Sequence, residues 1–115
     1  MRVKRGTVSH AKHKKLLRSV KGYRMTKRRL VKTAKEAYLH AGVYAYAGRK
    51  RKKSDFRRLW ITRISNYLKN EDISYSRFIH KLNEKNIQLD RKILTYLIRF
   101  DLPAFKAVLD KVKKG

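Results

Sequence analysis

The groups in this chain that could do chemistry are mostly cations, and they come in runs. Lys12, Lys14, Lys15 and Arg18 form one cluster, Lys27, Arg28, Arg29, Lys32 and Lys35 a second, and Arg49-Lys50-Arg51-Lys52-Lys53 a third. Ammonium and guanidinium groups at that density neutralise phosphates and release the counterions that a polyphosphate chain carries. Tyr23, Tyr38, Tyr44 and Tyr46 lie among or between the runs. A tyrosine beside basic residues can stack on an unpaired base, and it can equally pack on a neighbouring element, so both roles stay open for these four.

Other chemistries find too few participants. His10 and His13 are three residues apart, but a metal needs further ligands, and the chain has no Cys and no carboxylate near them. Glu71, Asp72 and Glu84 could be offered as an acid/base set, yet the first two sit in a turn beside a helix start, where negative charge is favourable for structural reasons. There is no glycine-rich phosphate loop, zinc signature or nucleophile triad. We therefore expect no enzyme, no metal, no cofactor and no small-molecule substrate. The lack of cysteine fits a reducing compartment.

The charge is unevenly distributed. Residues 1–63 carry 22 Lys or Arg against Glu36 and Asp55, a net of +20, whereas residues 64–115 carry 11 against 6 acids, a net of +5. A half so charged repels itself unless a polyanion neutralises it, and nucleic acid is the obvious one. On charge alone a DNA-packaging protein rivals an RNA-binding one; preference for folded RNA over duplex DNA at matched salt separates them. No membrane association is expected, because no apolar run approaches the length of a span. The amino terminus lacks the apolar stretch of a secretory signal, and the basic bias runs too far for a short presequence.

Helices are what must position these cations. Met1 to Gly6 has no periodicity and is expected to be an extended tail that orders only against a partner. Ser9 is placed to cap a helix over His10 to Val20, with Gly22 in a left-handed position beyond its end. From Thr26 to about Lys69 there is no proline, and Ala34, Ala37, Ala41, Ala45 and Ala47 favour one long or once-broken helix with Gly42 and Gly48 as its weak points. Ala34, Ala37, Ala41, Ala45 and Gly48 line a face of little bulk, open to another backbone, to an RNA strand or to neither. No Lys or Arg falls between Lys35 and Arg49, a gap of about 20 Å along a helix, so two separate phosphate-binding patches are expected.

Phe56, Trp60 and Ile64 recur at i, i+4 and i+8 and, with Leu59 and Leu68, draw an apolar stripe in which Trp60 is expected to anchor the basic arm to a core. Three short amphipathic segments follow Asn70-Glu71-Asp72. Ser74 opens one that buries Tyr75, Phe78, Ile79 and Leu82 and ends at Asn86; Asp90 opens one that buries Ile93, Leu94, Leu97 and Ile98. Asp101, ahead of Leu102-Pro103, opens the last, with Phe105, Val108, Leu109 and Val112 inward and Lys111, Lys113 and Lys114 at its negative end. The expected fold class is all-α: a long basic helical arm over residues 1–55 joined to a small helical bundle over residues 56–115.

A family resemblance rests on residues spread along the chain. Arg2-Val3-Lys4-Arg5-Gly6, His13-Lys14-Lys15, Lys21-Gly22-Tyr23, Ala41-Gly42 with Tyr44-Ala45-Tyr46, Phe56-Arg57-Arg58-Leu59-Trp60-Ile61 with Arg63-Ile64, Ser74-Tyr75-Ser76 with Phe78-Ile79, and Leu89-Asp90-Arg91-Lys92-Ile93-Leu94 occur in one order. In that order the chain resembles the bacterial-type large-subunit ribosomal proteins of the L-twenty family over nearly its whole length. The resemblance implies an RNA-penetrating arm, a helical carboxy-terminal domain, direct binding to 23S ribosomal RNA and a part in early large-subunit assembly. It also implies neighbouring large-subunit ribosomal proteins as partners and a place on the ribosome of the cytoplasm or of an organelle. Family members also repress their own messenger, a second RNA partner left open for this chain.

The residues expected to meet RNA are Arg2, Lys4, Arg5, His13, Lys14, Lys15, Arg18, Lys21, Tyr23, Arg24, Lys27, Arg28, Arg29, Lys32, Lys35, Arg49, Lys50, Arg51, Lys52, Lys53, Arg57, Arg58, Arg63, Arg77, Lys81, Lys85, Arg91 and Lys92. Arg91 and Lys92 stand out, because cations in a helix's first turn oppose its dipole unless an anion compensates. The chain departs from the family pattern at Arg24-Met25, where an aromatic and a glycine are usual, so a less sharp break in the arm is expected. It departs again at Ala47-Gly48 in place of a basic residue and an aspartate, at Ser65-Asn66-Tyr67-Leu68, and at Glu71-Asp72 where a glycine is typical.

Overall fold

The computed structural model describes Arg2 and residues 4–114; Met1 and Val3 of the expected tail, and Gly115 at the end of the expected bundle, lie outside the described residues. The described residues form five α-helices, α1 (Gly6–Ser19), α2 (Val31–Lys69), α3 (Tyr75–Glu84), α4 (Arg91–Phe100) and α5 (Leu102–Lys113), with a 3-10 turn at Met25–Arg28 and no strand among them. The chain is all-α, as its periodicities predict. It divides into two compact units, Met1–Lys50 and Arg51–Gly115.

In the first unit α1 begins a turn earlier than expected. Arg5, not Ser9, is the capping residue, no side chain caps the end, and the Ser9 N–H already donates to the Arg5 carbonyl at 3.1 Å. With no capping side chain there was no local signal for this start, and of the expected tail only Arg2, Lys4 and Arg5 are described outside a helix. The end is where the sequence puts it: Gly22 has φ +92°, which glycine adopts without a Cβ penalty. Met25 then takes φ +57° without being glycine. At Arg24-Met25, where a less sharp break was expected, the backbone takes the left-handed conformation that glycine favours, at a cost of about 1 kcal/mol to Met25. The Thr33 hydroxyl donates to the Leu30 and Thr26 carbonyls at 3.1 and 3.2 Å and closes the corner.

The long helix starts at Val31 rather than Thr26 and runs through Gly42 and Gly48 without a break. Each glycine costs a helix about 1 kcal/mol relative to alanine, too little to interrupt a stretch filled with alanine and free of proline. Of the small-residue face, Ala34 is buried and Ala37 half-buried, while Ala41, Ala45 and Gly48 are exposed.

The second unit is built on a core of Ile64, Leu68, Phe78, Leu82, Leu94, Phe105, Leu109 and Val112. Phe105 is its hub, edge-on to Tyr67 at 5.1 Å between ring centroids and 5.9 Å from Phe78. The stripe expected from Phe56 enters this core only at Ile64: Phe56 and Leu59 are exposed and Trp60 is half-buried, tilted against Phe56 at 6.2 Å between ring centroids. Helices of 10 to 12 residues reach only about 15 to 18 Å, so α3, α4 and α5 cover the last turns of α2 and not those around Trp60. Trp60 is a flank of the core rather than its anchor.

Two matching closures join the short helices. Ile73 N–H donates to the Leu68 carbonyl at 3.3 Å across left-handed Asp72, and Ile87 N–H to the Leu82 carbonyl at 2.9 Å across left-handed Asn86. The second is a Schellman turn, with the Asn86 N–H also donating to the Asn83 carbonyl at 3.0 Å, and in each an isoleucine folds back toward the core. Asp90 and Asp101 cap α4 and α5 as expected, accepting from Ile93 N at 2.7 Å and Ala104 N at 3.2 Å, whereas Ser74 occupies its cap position without a side-chain bond to the helix. Within α4, Ile93 faces solvent and Thr95 is buried instead; its hydroxyl donates to the Arg91 carbonyl at 2.8 Å, which removes the cost of burying it.

Candidate nucleic-acid interface

Within the first unit the expected cations are spread over α1, the turn and the start of α2. His13, Lys14, Lys15 and Arg18 lie on α1, Lys21 and Arg24 in the connection, Lys27 and Arg28 in the 3-10 turn, and Arg29 just after it; all are exposed. Arg2, Lys4 and Arg5 precede the helix and are exposed too. Lys32, Lys35, Arg49 and Lys50 lie on α2, and the 14 residues from Lys35 to Arg49 put about 21 Å of helix between the two patches. That interval is not bare: Tyr38, Tyr44 and Tyr46 are exposed on it, His40 stacks on Tyr44 at 6.2 Å, and the Lys50 ammonium sits 5.4 Å from the Tyr46 ring centre. These three rings are not consumed by packing, which leaves them available as stacking surfaces. Tyr23 is half-buried at the corner.

In the second unit Arg51, Lys52, Lys53, Arg57, Arg58 and Arg63 are exposed on α2, with Lys53 and Arg57 one turn apart on one face and Arg51 and Arg58 two turns apart on another. Arg77 and Lys81 stand on α3, four residues apart, and Lys85 just beyond it. The structure gives Lys85 a task within the fold: its ammonium donates to the Lys111 and Lys114 carbonyls, holding the negative end of α5. Arg91 is half-buried and its Nε donates to the Tyr75 hydroxyl at 2.8 Å, which fixes the guanidinium across α4 and α3 and leaves the two terminal nitrogens to meet a phosphate. Lys92 beside it is exposed.

What distinguishes the set electrostatically is the absence of internal compensation. Among the described residues the carboxylate pairs are Lys113–Glu71 at 2.7 Å and His80–Glu84 at 3.2 Å, and neither uses one of the expected RNA-facing cations. The Lys113 hydrogen bond holds the Glu71 carboxyl below its usual range and, reciprocally, raises the Lys113 ammonium. Glu71 is thus tied to α5 and does not oppose the basic surface as an unpaired charge. No group of three or more His, Asp or Glu that could hold a metal occurs among the described residues, and no helix there is long and apolar enough to cross a membrane.

Sequence reasoning missed Tyr75 as the residue that orients Arg91, because a tyrosine on the inward stripe of α3 gives no sign of where its hydroxyl ends. It also left out Arg99, whose guanidinium lies 5.2 Å from the Phe100 ring centre. An arginine next to an exposed aromatic pair was the available signal.

Comparison with known proteins places this arrangement. A family model described as Ribosomal protein L20 matches residues 2–108. Among similar proteins, the large ribosomal subunit protein bL20 of Buchnera aphidicola is 44% identical over 114 residues, covering 99% of this chain and 97% of its own. That of Vesicomyosocius okutanii is 43% identical over 114 residues, covering 99% and 96%. That of Francisella philomiragia is 47% identical over 112 residues, covering 97% and 95%. Matches of this extent leave no segment of the basic surface or of the bundle outside the alignment, and the chain belongs to the ribosomal protein L20 family, a structural and non-enzymatic family.

Proposed function

We propose that this protein binds 23S ribosomal RNA directly in the large ribosomal subunit and supports early assembly of that subunit. The observation that carries the reading is a set of cations from α1 to α4, most of them exposed, that no carboxylate of the described residues neutralises. An uncompensated net charge of +25 on 115 residues requires a polyanion, and relatives named as large-subunit proteins live among one. The arm over residues 1–55 supplies salt-sensitive affinity, because each phosphate it neutralises adds roughly 0.7 to 0.9 to the salt slope whatever the sequence. The domain over residues 56–115 supplies site preference, through donors held at fixed separations such as Arg91 on Tyr75. Neighbouring large-subunit proteins complete its surroundings on the cytoplasmic ribosome, and repression of its own messenger would use the same cations on a second RNA.

A salt titration of the full-length protein on 23S ribosomal RNA, scrambled RNA and duplex DNA tests this. Preference for the ribosomal RNA at matched salt is expected. Replacing Arg49 to Lys53 by glutamine should flatten the salt slope and keep the preference, whereas Arg91→Gln with Lys92→Gln should lose the preference with a smaller change in the slope. Preference for duplex DNA would instead support a DNA-packaging role.

A further inference from the structure

A ten-residue helix on a small core needs one apolar face, and α4 has two. Leu94 and Thr95 are buried and Leu97 and Ile98 pack against the core, while Ile93, Tyr96 and Phe100 are 43%, 60% and 64% exposed. The Tyr96 and Phe100 rings are 4.8 Å apart between centroids and tilted by 41°, so they pack on each other as one exposed aromatic pair. Lys92, Tyr96 and Arg99 follow at i, i+4 and i+7, which puts one cation a turn to either side of Tyr96, and the Arg99 guanidinium already lies 5.2 Å from the Phe100 ring centre. No acid occurs on α4, and the aspartates at its two ends are engaged as caps, Asp90 on Ile93 N and Asp101 on Ala104 N.

We propose that this face is a stacking site for an unpaired RNA nucleotide, with the base on Tyr96 and Phe100 and its flanking phosphates on Lys92 and Arg99. The proposal rests on the RNA-binding reading above and adds residues to it that the basic runs do not contain. Charge complementarity selects the occupant. A nucleotide brings a π-face and an anion on either side of it, which matches an exposed aromatic pair with a cation on either side. An apolar protein segment would match the rings and leave Lys92 and Arg99 without a partner.

The test uses full-length protein, with ring resonances of Tyr96 and Phe100 followed by NMR as oligoadenylate or inorganic polyphosphate of equal charge is added. Upfield ring shifts with oligoadenylate and none with polyphosphate are expected. At raised salt, where the arm contributes less, Tyr96→Leu with Phe100→Leu should weaken oligoadenylate binding roughly tenfold or more, and Arg99→Gln should lower the salt slope by about 0.7. Unshifted rings and unchanged affinity overturn the site. If the wild-type protein still prefers 23S ribosomal RNA in that case, the RNA-binding reading stands and only the stacking site falls; if the preference is also absent, both fall. Rings that move only on addition of a purified large-subunit protein overturn the proposal in favour of a protein partner.

Discussion

The two units are made of the same secondary structure held by different forces. In Arg51–Gly115 eight residues from α2, α3, α4 and α5 converge in one core, whereas in Met1–Lys50 the buried side chains among the described residues are Val20 and Ala34. The first unit also sets 16 Lys or Arg against Glu36 alone. Its helices therefore rest on alanine content and backbone hydrogen bonds, and helices without tertiary packing are marginal in water. The second unit is stabilised by burial. Order in the first should depend on a polyanion, and order in the second should not.

The largest effect that bears on this contrast is expected from Phe105→Ala. Truncating a fully buried ring that touches both Tyr67 and Phe78 should cost about 3 to 5 kcal/mol, a large share of what so small a core supplies. Tyr44→Ala, on an exposed face of α2, should change stability by less than about 0.5 kcal/mol. Urea unfolding followed by ellipticity measures both. Equal losses would mean that the units share their stability.

Trp60→Ala comes next, at about 2 kcal/mol, because the ring is half-buried and outside the core cluster. A loss as large as that of Phe105→Ala would put Trp60 back at the centre. The residue also shows where the sequence was legible and where it was not. The stripes of α3 and α5, the caps Asp90 and Asp101 and the turn at Asn86 could be read because each is a local pattern with a local cause. How far up α2 the core extends is set by the reach of three helices that come later in the chain, and no periodicity within Phe56 to Leu68 encodes that reach. The same holds for the site. The basic set was visible as charge, but the tasks of Lys85 on the end of α5 and of Tyr75 on Arg91 span 26 and 16 residues of sequence and appear only once the helices are packed.

A pair of opposite substitutions sharpens the contrast with smaller effects. A Cβ at Gly42 would meet nothing within 4 Å, so Gly42→Ala should stabilise α2 by about 1 kcal/mol and appear as slower amide exchange there, with little change in the unfolding of the core. Asp72 is left-handed at φ +56°, so Asp72→Gly removes a steric cost of about 1 kcal/mol and loses part of that gain to the freer unfolded chain. A net gain of about 0.5 kcal/mol in urea unfolding is expected. A gain confined to the first unit, or a loss, would show that the turn at Asp72 does not tolerate the change.

The smallest effect concerns the ion pair that ties the loop after α2 to the end of α5, Glu71 with Lys113 at 2.7 Å. Both side chains are partly exposed, so solvent screens the pair and its contribution should fall below those above. The signs follow from the two shifts. The Glu71 carboxyl is held below its unfolded value, so its contribution is present at neutral pH and is lost as pH falls through the lowered folded value. The Lys113 ammonium is raised, so its contribution is complete below the unfolded lysine value and is lost as pH rises through the raised folded value. Stability of the second unit should therefore be flat between those limits and dip at both ends. Glu71→Gln should remove both dips attributable to the pair, leaving those of other groups. Because the arm has no such pair among its described residues, its helicity should be governed over the same range by self-repulsion, increasing with added salt while the Glu71 contribution decreases. Ellipticity of the whole chain and the urea midpoint of the core, measured together across salt, distinguish the two responses; a parallel change in both would mean that one electrostatic term controls the entire molecule.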